Sequence, residues 1–326
     1  MTSTNKPDII SKSLGNSTFC ASDKQNAKRY FTFSDYLYQK FGKKVYKITL
    51  NAGFSCPNRD GTISKGGCIF CDDSGSFSMA HSSLLPIEEQ VKTAINNLPK
   101  RFKAQAFLAY FQAFTNTYAP VEKLKTVYDA AFCDERVVGI SIGTRPDCVD
   151  EEKLDLIASY KNPWLELGLQ SAHDKTLRLI NRGHDFKTFE NAYNLAKSKN
   201  IKVCVHIILG LPGETPQDML KTARILSKMG IDGIKIHALT VLENTPLAKM
   251  HAISPISLLS EDEYCALVCD IIEILPKNTT IHRVGGSGLS TTLIAPLWAR
   301  NKFETMNKID RILWERNTCQ AAKYHP

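Results

Sequence analysis

Six short apolar or β-branched runs recur along the chain: Val45–Asn51, Ala106–Gln112, Val137–Ile142, Trp164–Leu169, Val203–Leu209 and Gly233–Leu239. Amphipathic stretches of helical period, near residues 87–98, 121–132, 150–160, 187–199 and 216–229, lie between them. That alternation is the pattern of successive βα units around a parallel sheet. Each connection is long enough for the right-handed return that parallel pairing requires. The stretch at 216–229 has the clearest ends: Thr215 suits the cap, Pro216 the first helical position, Asp218 reaches back to the cap and Gly230 stops the helix. Six units curving through part of a circle predict an α/β chain, an incomplete (βα)6 TIM-type barrel over residues 30–245. An open doubly wound sheet is the structural rival. In barrels of this kind the active site lies at the C-terminal ends of the strands.

The flanks read differently. Residues 1–29 are rich in Ser, Asn, Thr and Lys and carry five basic and two acidic side chains, the pattern of a disordered basic tail. Residues 246–326 lose the βα rhythm and form a C-terminal α/β extension. It holds a helix near 260–274, a possible strand at Thr280–Val284, a turn at Gly285-Gly286-Ser287-Gly288 and an amphipathic helix from about Trp298 to Arg316. Both ends are basic within a total of 41 Lys and Arg against 33 Asp and Glu. Basic ends suit a polyanion such as RNA and equally suit solvated tails. No stretch reaches the roughly 18 apolar residues of a membrane helix, and Met1 to Ser13 lacks the apolar centre of a secretory signal, so a cytosolic protein without membrane contact is expected.

Ten cysteines are too few for a disulfide scaffold in a chain of 326 residues, and most sit singly in apolar runs. Cys56, Cys68 and Cys71 are the exception, spaced C-x11-C-x2-C directly after the first strand. A loop with Pro57, Asn58, Gly61, Gly66 and Gly67 can turn three thiolates towards one point, and three Cys ligands leave a four-iron cluster with one iron open to another ligand. Two blander readings stand beside this one. Zinc would use the Cys68 and Cys71 pair with His81 as a candidate fourth ligand, and three plain buried thiols need no metal at all. Cys265 and Cys269, at i and i+4 on a helix, read as buried packing.

The cysteine loop resembles the cluster loop of the radical S-adenosylmethionine (SAM) superfamily, with the longer first spacer of the branch that includes the Elongator catalytic subunit. More narrowly, Tyr46–Cys71, Tyr110–Tyr118, Gly143–Cys148, Glu166–His184, Ile281–Arg283 and Leu293–Trp298 resemble the YhcC-like family within that branch. The resemblance implies a [4Fe-4S] cluster held by Cys56, Cys68 and Cys71, with SAM chelated at the open iron. It implies reductive cleavage of SAM, hydrogen abstraction from a substrate, and an electron donor such as flavodoxin or ferredoxin. The backbone around Phe70 would lie against adenine.

Further roles follow from the same resemblance. Gln112 and Thr115 stand where superfamily members commonly have a glycine-rich turn for the SAM amino group, and this chain departs from the glycines there. Gln170 and Arg182 keep the spacing of a pair in which Gln binds the ribose hydroxyls and Arg pairs with the SAM carboxylate; a guanidinium fork fits a carboxylate in a way that lysine does not. His206 falls where a related coproporphyrinogen-type enzyme has an acidic ribose contact. Arg145, in Gly143-Thr144-Arg145-Pro146-Asp147, is held extended by the following proline. It either binds an anionic substrate group or pairs with Asp147. The leading expectation for the substrate is a tRNA nucleotide, a wobble uridine side chain. The alternatives are a small metabolite and a non-catalytic, metal-bearing RNA-binding module.

Overall fold

A computed structural model of the chain describes residues 28–72, 75, 85–285 and 291–325. Its centre is a seven-stranded, all-parallel sheet. The strands are β1 (Val45–Leu50), β2 (Ala106–Phe111), β3 (Val137–Thr144), β4 (Trp164–Gln170), β5 (Lys202–Leu209), β6 (Gly233–Ala238) and β8 (Thr280–Arg283), in that spatial order. A small β7 (Val241–Leu242) pairs antiparallel with β9 (Leu293–Ala295) above it. The curved sheet with helices outside is the incomplete barrel expected from the sequence, with one strand more than the six βα units supply. The seventh comes from the C-terminal segment: β8 joins β6 in parallel, with Gly233 opposite Thr280 and Lys235 opposite Arg283.

The helices form where caps and apolar faces coincide. Helices α2 (Ile87–Phe102), α3 (Val121–Ala130), α4 (Glu151–Ala158), α6 (Phe186–Ser198) and α7 (Pro216–Met229) fill the places the periodicity predicts. Thr215 and Asp218 make the reciprocal cap of α7, and Gly230 ends it at φ 68°. Three helices have no counterpart in the periodicity: α1 (Phe33–Phe41), the short α5 (Asp174–Leu179) and α8 (Pro246–Ile253). Helix α1 plugs the base of the barrel, where Phe33 and Leu37 join Val45, Leu108, Trp164 and Cys204 in one apolar cluster.

In the C-terminal segment α8 (Pro246–Ile253) and α9 (Glu261–Ile274) precede β8. The long helix expected from Trp298 to Arg316 is broken: a 3-10 turn, Leu297–Arg300, stops at Asn301, whose side chain caps α10 (Lys302–Glu315) by accepting from the Glu304 N–H. Cys265 and Cys269 are buried and point at the Thr305 and Ile309 carbonyls of α10, at 3.8 and 3.6 Å, as packing residues. The turn at Gly286-Ser287-Gly288 and residues 1–27 of the basic tail lie outside the described residues.

Lys28 and Arg29 do not behave as tail. Arg29 is 6% exposed, lies 4.5 Å over the Trp314 ring and donates to the Thr318 carbonyl. Beyond it, Phe31 accepts from Ile281 N–H at 2.8 Å, so residues 31–32 cover the outer edge of β8. Tyr264 of α9 ties the seam between β6 and β8, its hydroxyl reaching the carbonyls of Ile236 (3.2 Å) and Val284 (3.1 Å). Replacing Tyr264 by Phe is expected to lower stability by about 1 kcal/mol, read as a lower urea midpoint with unchanged slope.

Candidate active site

One cavity of about 1460 Å³ runs from the C-terminal ends of the strands into the barrel interior. Cys56, Cys68, Phe70, Cys71, Gln112, Thr115, Arg145, Gln170, Arg182 and His206, the residues to which the resemblance gives cofactor or substrate roles, line it. His81 lies outside the described residues.

The cysteine loop is built and then moored. Arg59 and Asp60 N–H donate back to the Cys56 carbonyl, Ile63 N–H to Pro57, and Gly67 N–H to Asn58. Gly66 and Gly67 turn the chain at φ 86° and 82°, a region that side chains disfavour. Buried Asn58 then donates to the Asn181 carbonyl at 2.6 Å and accepts from Ser64 Oγ, while Asn181 donates to the Gly67 carbonyl at 2.8 Å. Gly183, at φ 78°, completes the joint, because a Cβ there would stand 2.6 Å from Asn58 Oδ1. The loop and the segment carrying Arg182 are thereby one unit.

Arg182 occupies the joint. Its Nη2 donates to the Gly168 carbonyl at 2.5 Å, its Nη1 approaches Cys68 Sγ at 3.5 Å, and its buried Nε has no partner. Gly168 leaves room for it, since a Cβ there would lie 2.7 Å from Nη2. Gln170 ends β4 at φ 79°, beside an irregularity in the β4–β5 register. The Thr115 hydroxyl is buried without a hydrogen bond. Arg145 is 2% exposed and closes a two-point pair with Asp147, Nε to Oδ1 and Nη2 to Oδ2, both 2.9 Å. The Asp147 pair leaves Arg145 Nη1 without a partner, so the pair and an anionic ligand on the remaining donor are compatible.

The thiols fit a cluster better than a single zinc. Among the described residues, the one trio of metal-capable side chains with ligand atoms all within 4.8 Å of one another is Glu166, Cys204 and His206. The three loop sulfurs are spread wider, whereas zinc–sulfur bonds near 2.3 Å bring tetrahedral sulfurs to roughly 4 Å. Burial, then the neighbouring Cys68, pushes the Cys71 thiol up to about 12. Arg182 and Thr115 both line the cavity, and each keeps one buried polar atom, Nε and the hydroxyl, without a hydrogen-bond partner, which suits a polar, carboxylate-bearing ligand beside the sulfurs.

Deeper in the cavity lies a charged group that the sequence reading passed over. Glu166, 1% exposed, takes Lys47 Nζ at 2.5 Å and Ser141 Oγ at 2.6 Å on one oxygen, and His206 Nε2 at 2.8 Å and Lys235 on the other. Lys235 also donates to the Tyr110 hydroxyl at 2.8 Å. His206 therefore serves this network through Nε2. The signal was available, since Lys47, Glu166 and Lys235 are charges inside otherwise apolar strands. Two ammonium groups on the carboxylate also exclude the Glu166, Cys204 and His206 trio as a cation site.

The radical SAM superfamily profile matches residues 56–226, and the radical SAM C-terminal domain profile matches residues 231–315. The chain belongs to the radical SAM superfamily. Within it the chain lies with the YhcC-like proteins: it is 41% identical to YhcC of Escherichia coli over 298 residues, covering 90% of this chain and 95% of that protein. A weaker likeness, 28% over 167 residues, covers 50% of this chain and 36% of a Dehalococcoides mccartyi protein named tRNA uridine(34) acetyltransferase. The fold is shared with Elp3 from Methanocaldococcus infernus, with TM-score 0.65, 19% identity, and coverage of 85% of this chain and 64% of that one. Membership of that superfamily brings with it a [4Fe-4S] cluster and SAM as the cofactors. Among the described residues no helix is long and apolar enough to cross a membrane.

Burial first, then nearby cations, holds His206 down to about 4 and keeps His237 and His282 well below the usual histidine range. Unfolded, these rings take up protons near 6.5 while the folded protein does not, so stability is lost as pH falls below about 6.5. Glu166, held well below its ordinary value by Lys235 and Lys47 against the opposing effect of burial, adds to the loss once pH falls through about 4.5. The urea midpoint should drop steadily from pH 7 to pH 5, and His206→Asn should flatten that slope. Glu166→Gln, which strands two buried ammonium groups, is expected to cost about 3 kcal/mol in the same assay at pH 7.

Proposed function

We propose that Cys56, Cys68 and Cys71 hold the cluster, that Arg182 takes the SAM carboxylate, and that the enzyme acts on a nucleotide of tRNA, a wobble uridine side chain. The observation that supports the site assignment is the Asn58–Asn181 joint, which sets the cysteine loop, through Cys68, against the Arg182 guanidinium. When bound, the reduced cluster with SAM supplies an electron to the sulfonium and the means to abstract a hydrogen atom.

The chain's own part is binding, orientation and exclusion of water. Arg182, already on Gly168 and Cys68, presents its remaining donor to a carboxylate. The Thr115 hydroxyl and Gln112, at the end of β2, receive the amino group. Gln170, turned into the cavity by its unusual backbone, takes the ribose hydroxyls, and the backbone at Phe70 lies along the adenine. That backbone is fixed from both sides, because Ile69 N–H donates to Ile180 and its carbonyl accepts from Leu247 N–H. An external one-electron donor such as flavodoxin or ferredoxin, and a cytoplasmic setting that keeps thiols reduced, complete the reading.

The tRNA assignment rests on the likeness to the protein named tRNA uridine(34) acetyltransferase and on the basic ends of the chain. Anaerobically reconstituted protein should hold about four irons and release 5′-deoxyadenosine with dithionite; Cys68→Ala should abolish both. A strain lacking the gene, grown anaerobically, should show a changed wobble-uridine nucleoside by mass analysis of its tRNA. An unchanged profile would remove the tRNA substrate and leave the cofactor chemistry standing.

A further inference from the structure

The strands that line the interior of the cavity carry more positive charge than the protein neutralises. Lys47, Lys235 and Arg283 line the cavity, against the single carboxylate Glu166. Glu166 is fully engaged by Lys47, Lys235, Ser141 and His206. Arg283 has no hydrogen-bond or ion-pair partner among the described residues, although it stands on the central sheet and lines the cavity. His237 likewise makes no hydrogen bond there; its one ring contact is with His206 at 5.5 Å between centroids. An unmatched charge partly withdrawn from water is costly unless a counter-charge arrives.

Register sets the geometry. Gly168 of β4 stands opposite His206 of β5, His206 opposite Lys235 of β6, and Lys235 opposite Arg283 of β8. This row begins at the Gly168 carbonyl that holds Arg182 and ends at Arg283, three strand spacings or about 14 Å along the sheet. A substrate lying across the row would have the cofactor side at one end and the unpartnered guanidinium at the other.

We propose that Arg283, with Lys235 and His237, is a receptor for an anionic group of the substrate, a carboxylate or a phosphate. It rests on the preceding reading only in taking this cavity as the substrate site. Arg283 supplies the fork, which suits either group in two-point contact. Lys235, fixed by Glu166 and Tyr110, has one ammonium donor left for the same anion. Tyr110 and Glu166 are positioning residues that hold Lys235 in place. The positive field is already felt by the neighbours, since Lys235 after burial, and Arg283 after burial, are the leading causes that keep His206 and His237 uncharged.

The test uses anaerobically reconstituted protein with saturating SAM and no reductant, so that Arg182 is occupied. Sodium acetate and inorganic phosphate are titrated calorimetrically at constant ionic strength. Wild-type protein should bind at least one of them; Arg283→Gln should weaken it about ten-fold or more and Arg283→Lys should restore part of the loss. Acetate alone would identify a carboxylate as the recognised group, phosphate alone a phosphate. His237→Asn should weaken the same anion, and it gives an independent reading if the Arg283 variants fold poorly. Absence of binding by either anion, or equal binding by wild type and Arg283→Gln, overturns the proposal. The tRNA nucleoside profile is measured separately, so an anion receptor with an unchanged profile keeps this inference and removes the tRNA reading, and the converse result does the opposite.

Discussion

The arrangement of this site depends on one amide. Asn58 is buried in the cysteine loop, and its side chain spans to the backbone of Asn181 in the turn before α6. At its far end the loop is held by Ile69, which packs on Leu177 and Ile180 and bonds Ile180 and Leu247; at its near end the glycines give no regular structure and the Asn58 amide supplies the anchor. Held at Asn58 and answered by Asn181 at Gly67, it acquires a definite place relative to β4. Cys68 then meets Arg182, and Gly168 and Gly183 are small because the guanidinium and the Asn58 amide already fill the space where side chains would go. Two regions more than a hundred residues apart behave as a single rigid mouth.

The barrel interior follows a different logic. Most of its wall is apolar and fully buried, as in any parallel sheet covered on its outer face. Into it the chain places one carboxylate and two lysines, an arrangement that apolar side chains of similar volume would often match or exceed in stability. Retention of charge at that cost makes sense where the interior must receive a polar molecule. Tyr110 and Ser141 satisfy what the ions leave over, and α1 seals the base so that the charges face the cavity and not bulk water.

Much of this could be read in the sequence, and the omissions have physical reasons. The six strands up to Ala238 were visible because continuous β-branched runs alternating with capped amphipathic helices have few other solutions. The cysteine loop and the Gln170 and Arg182 pair were singled out through the family resemblance, and they line one cavity. Strand β8 was seen only as a candidate, since four residues after a helix give no period to measure, and its membership in the sheet is decided by partners on β6 and at Phe31. Helix α1 precedes the first strand and stands outside the rhythm that revealed the others. The Glu166 network escaped because its members are far apart in sequence and each, alone, reads as an odd charge in a strand. Arg145 was correctly placed at a strand end, but spacing does not reveal which of two carboxylates, one in a ligand and one on Asp147, takes its fork.

The edge of the sheet has a consequence for how the molecule comes into being. Arg29 and Phe31 belong to the beginning of the chain, yet their partners are Ile281, Trp314, Thr318 and Gln320. Gln320 in turn ties the Pro276 and Thr279 carbonyls ahead of β8. On the ribosome, six strands can assemble while this flank stays open, and the wall bearing Arg283 is clasped only after residues 314–320 have emerged. Until then the half-made protein has the mouth formed by its cysteine loop without a finished chamber behind it.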